Sequence, residues 1–265
     1  MRSPHPTSSI KHHTSNVSHK DKRFNNSGPV LLNKETSIKM KYKYITVIPA
    51  RGGSKRFPGK NTYVLNGSHL ICHSIEYSLR NSNIVGTYVS TDAEDIKSIS
   101  RLAGAEIIDR PAEFAGDHAT TASAMRHAVQ YLIDKGVEFD FVVLLQATNP
   151  LRPKNLLKEA IDIIEKGNND SLFTVNRSEK KLGKIIDGKF VPWNYKFGMR
   201  SQDLEPLYYE NGLLYIIKKE LLLQEIIEGP TAYPLVVNHP FGEVDIDTIE
   251  DFHYAEYMIN QYKDE

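Results

Sequence analysis

Cysteine is almost absent. Cys72 is the only one in 265 residues, so a disulfide framework within the chain is excluded and the redox compartment is left open. Long apolar runs are missing too: nothing approaches the roughly 20 residues that a membrane-spanning helix requires, and nothing near the start has the apolar core of a secretory signal. Net charge is the third absence. Lys plus Arg and Asp plus Glu each number 33, so no global field draws the protein to nucleic acid or to an anionic membrane, and any phosphate chemistry must come from local clusters. Two common nucleotide motifs are lacking as well. G-x-G-x-x-G does not occur, and the one loop that approaches a P-loop has Gly53 a place too early for Gly59-Lys60, with Asn61 where Ser or Thr is required. What remains is an ordinary soluble composition, 40% hydrophobic and 25% charged, with room for one large α/β domain and a smaller excursion. A cytoplasmic protein is expected.

Residues 1–39 are rich in Ser, Thr, Asn, His and Lys and have hardly any apolar periodicity. Such a segment buries too little surface to offset its ordering entropy, so it is expected to be a disordered extension of a domain spanning 40–265. A chain begun at Met40 should therefore keep full activity and melt at nearly the same temperature as the whole chain. A melting point lower by several degrees, or lost turnover, would show that the segment packs or functions.

From Tyr44 onward, short apolar runs alternate with helical periods. Tyr44–Pro49 predicts a strand that ends in the glycine-containing loop Ala50–Asn61. Ile71, Ile75 and Leu79 fall at i, i+4 and i+8 and mark a helix face. Tyr88–Thr91 and Glu106–Ile108 predict strands, with a helix striped by Ile96, Ile99 and Ala103 between them. Met125, Ala128, Val129 and Leu132 stripe a helix before the apolar strand Phe141–Leu145. Leu157, Ala160, Ile161 and Ile164 do the same before Leu172–Val175. The alternation predicts βαβ units and a doubly wound, mostly parallel, Rossmann-like sheet. It lapses over about 177–209, where Trp193, Tyr195 and Phe197 mix with charges, so an inserted arm is expected there. Leu213–Ile217 resumes it, and Thr248 with Asp251 has the spacing of a capping box before a final helix.

Several constellations carry candidate chemistry. The loop from Ala50 to Asn61 follows the first strand, and in an open α/β sheet ligands bind beyond the carboxyl ends of the strands. Its glycines let N–H groups approach phosphate oxygens, while Arg51, Lys55 and Lys60 add positive charge. Asp245 and Asp247, two apart in an extended segment, point the same way and can face one cation; solvation or helix capping is the plainer reading of such a pair. Gln146, with Thr148 and Asn149, ends an apolar strand, where amides can read hydroxyls, although Asn149-Pro150 also makes an ordinary turn. Arg110 stands with Asp117 and Thr121, and Thr120-Thr121 read equally well as a helix start. The arm offers Arg200 and either Lys184 or Lys181, with Asn211 and Tyr215 beyond it; a solvated surface explains its charges as well.

The run Ile48-Pro49-Ala50-Arg51-Gly52-Gly53-Ser54-Lys55 resembles the opening signature of the acylneuraminate cytidylyltransferases. The likeness continues through Ser90-Thr91-Asp92, Arg110-Pro111, Gln146-Ala147-Thr148-Asn149-Pro150-Leu151-Arg152, Glu210-Asn211-Gly212 and Asp245-Ile246-Asp247-Thr248, in order over about residues 43–262. The resemblance implies transfer of CMP from CTP to the anomeric hydroxyl of a sialic-acid-type nine-carbon sugar acid, with release of pyrophosphate. It implies that Arg51, Gly53, Ser54, Lys55, Asn61, Arg110 and Thr121 bind CTP. Gln146, Lys184, Arg200, Asn211 and Tyr215 are implied to face the sugar acid. Asp245 and Asp247 are implied to hold Mg²⁺, with Mn²⁺ as a substitute, and Arg51, Lys55 and Asp247 carry the catalytic expectation. The arm is implied to build a homodimer and to bring cations to the neighbouring subunit's site.

Tyr209-Glu210 stand where some relatives carry an arginine, which leaves the preferred acid open. Legionaminic acid and the eight-carbon acid of lipopolysaccharide are alternative acceptors for the same reaction. A non-catalytic sugar-nucleotide sensor is the alternative from another class, since a fold does not fix a function. It would be expected to have lost Lys55 or an aspartate, and this chain keeps them. No dedicated general base is legible.

Overall fold

The computed structural model describes residues 40–262, so the expectation of disorder for residues 1–39 lies outside the described residues. The chain opens with β1 (Tyr44–Pro49), the short hairpin β2 (Val64–Leu65) and β3 (Ser68–His69), and α1 (Leu70–Leu79). Then come β4 (Ile84–Thr91), α2 (Glu94–Leu102), β5 (Glu106–Asp109), α3 (Thr121–Asp134), β6 (Phe141–Leu144), α4 (Leu156–Lys166) and β7 (Ser171–Ser178). A second hairpin, β8 (Gly183–Ile186) and β9 (Lys189–Pro192), precedes β10 (Leu207–Lys218), α5 (Lys219–Leu222), β11 (Tyr233–Val236) and α6 (Ile249–Gln261).

Seven strands form one sheet in the order β11-β7-β10-β6-β1-β4-β5. The pairs β1–β4, β1–β6, β4–β5 and β7–β11 are parallel, and β10 runs antiparallel to both its neighbours. The mostly parallel, doubly wound expectation is thus met. Phe141–Leu145 reads as a continuous apolar run because both faces of the sheet are covered. On one face Tyr44, Ile48, Phe141 and Val143 pack with α1 and α4 residues such as Ile71, Ile75, Leu157 and Ile161. On the other, Ile45, Val47, Val142 and Leu144 pack with Met125, Val129 and Leu132 of α3. A third cluster joins Phe57, Leu65 and Leu70 to Val244, Ile246 and Phe252, which seats the loop after β1 against the segment leading into α6. Thr248 and Asp251 form the expected capping box there.

Three features depart from the sequence pattern. Strand β10 is twelve residues long, not five, and reaches the sheet from the arm without a crossover helix, so it arrives antiparallel. Between Glu210 and Tyr215 its pairing with β7 slips, and residues 211–214 bulge opposite Thr174. Strand β11 lay hidden behind Pro234, which a sheet tolerates at an edge because the missing N–H faces no partner. Within the arm, β8 and β9 pair antiparallel around Asp187-Gly188, both at positive φ (50° and 72°), as a two-residue hairpin turn requires. Ile185, Trp193 and Phe197 are exposed there at 71%, 61% and 73%.

Candidate active site

The loops that follow β1, β4, β5 and β6 converge at one end of the sheet. From β1 the chain passes to β4 and β5 on one side and to β6 on the other, so this is the switch point where open α/β sheets leave a crevice. A cleft of about 600 Å³ lies there. It gathers Arg51, Ser54, Lys55 and Asn61 from the first loop, Arg110 after β5, Thr121 of α3, Gln146 after β6, and both Asp245 and Asp247. Nine of the residues expected from sequence thus share one wall or another of the same cavity.

The loop after β1 is held in shape by its own polar contacts. The Gly52 N–H donates to the Asp92 carboxylate at 3.0 Å, and a Cβ on Gly52 would lie 2.7 Å from that of Ala93, so glycine is required for this approach. Asn61 is buried and donates from Nδ2 to the Arg51 carbonyl at 3.0 Å. Across the cleft mouth, Lys55 Nζ lies 2.6 Å from Asp117 Oδ2 and Arg51 Nη1 lies 3.7 Å from Asp117 Oδ1. Arg51 also donates to the Gly116 carbonyl at 3.2 Å. Asp117 therefore occupies the two cations that a phosphate group would want, and Lys55 above all holds its carboxyl below the usual carboxylate range.

The first turn of α3 borders the same space. Thr120 caps it by accepting the Ser123 N–H at 3.0 Å, and Thr120 and Thr121 both line the cleft, so the helix's positive end borders it. Arg110 is buried and anchored by donating from Nε to the Ser90 hydroxyl at 3.1 Å and from Nη2 to the Ser90 carbonyl. Burial pushes its pKa down to about 10, with Asp92 opposing the shift, so it stays charged at neutral pH.

Asp245 and Asp247 stand opposite. Ile246 between them turns into the core, and its N–H donates to the Thr148 carbonyl at 2.8 Å. That register holds both carboxylates at the cleft. Asp245 is reachable by water along the cleft yet crowded by protein on its other sides. This partial desolvation, with the Asp247 charge beside it, raises its pKa against the pull of the Thr148 hydroxyl. Asp247 is instead neutralised: Lys60 Nζ lies 2.9 Å from Oδ1, and Arg56 reaches Oδ2. Lys60 is 6% exposed and also donates to the Ile246 carbonyl at 2.6 Å. The sequence presents Lys60 only as one more loop cation and gives Arg56 no role. Both line the cleft with Arg51, Lys55 and Arg110, giving five cations against two carboxylates.

A cleft rich in cations at the strand ends, with adjacent carboxylates facing them, is the arrangement of a nucleotide-transfer site. The family model described as Cytidylyltransferase matches residues 45–264. The chain belongs to the cytidylyltransferase family. The resemblance read from its motifs is borne out by relatives. N-acylneuraminate cytidylyltransferase of Streptococcus agalactiae is 32% identical over 220 residues, covering 79% of this chain and 52% of that protein. CMP-N,N'-diacetyllegionaminic acid synthase of Legionella pneumophila is 33% identical over 241 residues, 82% of this chain and 96% of that one. Pseudaminic acid cytidylyltransferase of Campylobacter jejuni is 31% identical, with coverage of 82% and 97%. The chain thus spans about half the length of the streptococcal relative and nearly all of the other two. Among solved structures, CMP:2-keto-3-deoxy-manno-octonic acid synthetase complexed with CTP has a TM-score of 0.60 at 16% identity, covering 83% of this chain and 99% of that one. For 4-diphosphocytidyl-2C-methyl-D-erythritol synthase the TM-score is 0.61 at 14% identity, with coverage of 83% and 100%. These two establish the fold.

Five of the expected site residues stand outside the cleft lining. Gly53 is exposed on the loop, with open space where a Cβ would be. Lys184 lies on β8 and Arg200 pairs with Asp203 at 2.8 and 3.0 Å, both exposed on the arm. Asn211 is buried in the β10 bulge. Its Oδ1 accepts from the Thr174 hydroxyl (2.6 Å) and the Leu213 N–H (3.1 Å), and its Nδ2 donates to Asn176 (2.8 Å). The Tyr215 hydroxyl donates to Glu210 at 3.2 Å, and burial raises its pKa strongly. Of the two arm lysines, Lys181 is tied to the Met199 carbonyl.

Proposed function

We propose that this cytidylyltransferase transfers CMP from CTP to the anomeric hydroxyl of a sialic-acid-type nine-carbon sugar acid and releases pyrophosphate. The observation that carries the reading is the cleft itself, lined together by the loop cations, the first turn of α3, both aspartates and Gln146. The triphosphate takes the place that Asp117 holds at Arg51 and Lys55. Arg110 and Thr121 serve the cytidine, and Asn61 keeps the loop in its phosphate-binding shape. Gln146 reads the acid. As the acceptor oxygen bonds to the α-phosphorus, the bond to the β-phosphate breaks, and Arg51 and Lys55 stabilise the charge that accumulates. Such chemistry is mostly positioning and charge stabilisation.

Asp245 and Asp247 fit a Mg²⁺ ion. Two carboxylates side by side, one of them with a raised pKa, suit a cation that keeps water and takes substrate oxygens for its other ligands. Among the described residues no third acidic, His or Cys side chain joins them as a ready-made cage. Bound there, the ion supplies neutralisation of phosphate charge. Of the two partners of Asp247, Arg56 is the exposed one, at 69% of its side chain against 8% for Lys60, and is the one able to turn away.

We assign the arm to an interface between two copies of the chain, supported by its exposed Ile185, Trp193 and Phe197. Lys184 and Arg200 then serve the neighbouring subunit's cleft. No helix among the described residues is long and apolar enough to cross a membrane, and we place the enzyme in the cytoplasm with its CTP. Legionaminic acid is the second reading for the acceptor, favoured by near-complete coverage of the Legionella relative. Pyrophosphate release from CTP should be fastest with one of sialic, legionaminic or pseudaminic acid. Turnover of an eight-carbon acid alone, or of none, would sink the reading.

A further inference from the structure

Arg152 lies inside the protein with no acidic partner among the described residues. It is 5% exposed, and every donor it uses goes to a neutral oxygen. Nε donates to the Leu213 carbonyl at 2.5 Å, Nη1 to the Ser74 hydroxyl at 3.0 Å and Nη2 to the Gln146 carbonyl at 2.8 Å. The Tyr77 ring lies 5.6 Å from the guanidinium carbon. Burial pushes the Arg152 pKa down to about 10, which still leaves it charged at neutral pH. A buried cation without a counter-ion is costly, and an apolar side chain of similar volume would fill the space with less penalty.

What the acceptors have in common is Gln146. Ser74 donates to the same Gln146 carbonyl at 3.4 Å. Leu213 follows Gly212, where a Cβ would lie 3.1 Å from Gln146 Oε1. Gly212 sits at φ 72° and has no Cβ, so the bulge backbone can rest against the Gln146 amide. One guanidinium therefore ties down the Gln146 backbone, the bulge behind its side chain, and helix α1. None of its hydrogen bonds goes to the loop 50–61, Arg110, Asp245 or Asp247.

We propose that Arg152 is a positioning residue that sets the Gln146 amide for the acid acceptor, and so tunes acceptor affinity without touching either substrate. This rests on the reading of Gln146 as the acceptor contact. The test is steady-state kinetics of Arg152→Lys and Arg152→Met with both substrates varied, alongside melting curves. The KM for the nine-carbon acid should rise about tenfold, with Lys the milder change, while the KM for CTP stays within about twofold. A merely structural role would lower the melting point and the active fraction, hence the apparent kcat, and leave the ratio of the two KM values alone. An unchanged acid KM, or an equal rise in both, overturns the proposal.

If both Arg152 variants fail to fold, Ser74→Ala decides. It removes one guanidinium partner and the second donor to Gln146 with little change in volume. A rise of about threefold in acid KM alone supports the proposal, and no rise overturns it. The unsubstituted enzyme is the control for the underlying reading. If it releases no pyrophosphate with any nine-carbon acid, that reading fails before a variant is compared. If it does turn over and the variants keep its acid KM, only the positioning role fails.

Discussion

Lys55→Ala is expected to lower kcat by about two to three orders of magnitude, the usual cost of removing one preorganised group that meets transition-state charge. Its melting point should not move. The Lys55 side chain is 74% exposed, and among the described residues its only ion pair is with the half-exposed Asp117. Pairs of that kind contribute little to stability. Asp117 is itself a measure of what the site seeks, since its single carboxylate draws both Arg51 and Lys55 across the mouth of the cleft. A triphosphate carries more charge in the same place and gains more of it on the leaving pyrophosphate, so the loss should fall on kcat rather than on the KM for CTP. Pyrophosphate release at saturating CTP measures this. A folded Lys55→Ala enzyme with kcat within threefold of the parent would remove Lys55 from the mechanism.

The sheet and the phosphate loop were legible because their signals are local. Period-two and period-3.6 patterns name β1, α1, β6 and α4, and a glycine-basic loop straight after the first strand can only fall at the carboxyl end of the sheet. What escaped depends on partners far away in the chain. Lys60 looks like one more loop cation until Asp247, 187 positions on, is folded against it. Asn211 beside Gly212 looks like a ligand reader, yet its amide is engaged by Thr174 and Asn176 of β7. That arrangement exists only because β10 turns antiparallel and bulges. Arg152 closes the Gln146-to-Arg152 motif, and nothing in its sequence neighbours announces acceptors as distant as Ser74 and Leu213. In each case the residue type was visible and the partner was not.

Asp245→Asn and Asp247→Asn should part company, although the sequence presents them as a matched pair. Without ligand, Asp247 is the partner of the buried Lys60 and of Arg56. Replacing it by Asn leaves Lys60 with the Ile246 carbonyl but no counter-charge, a loss of about 1.5 kcal/mol, or roughly 3–6 °C in melting point for a domain of this size. Asp245 has the opposite character: crowding and the neighbouring Asp247 disfavour its charge, so Asp245→Asn should melt no lower than the parent in chelator. Turnover should tell a different story from stability. Chelator should abolish activity, and Mg²⁺ or Mn²⁺ should restore it. Either single variant should need more Mg²⁺ for half-maximal rate, because one of two carboxylate ligands is gone. The double variant should be nearly inactive at any metal concentration. Melting curves in chelator separate the two aspartates, and metal titrations of rate reunite them. If the double variant turned over normally in millimolar Mg²⁺, the ion would have to be held elsewhere. The cation–carboxylate contacts of Asp247 would then be the whole of its purpose.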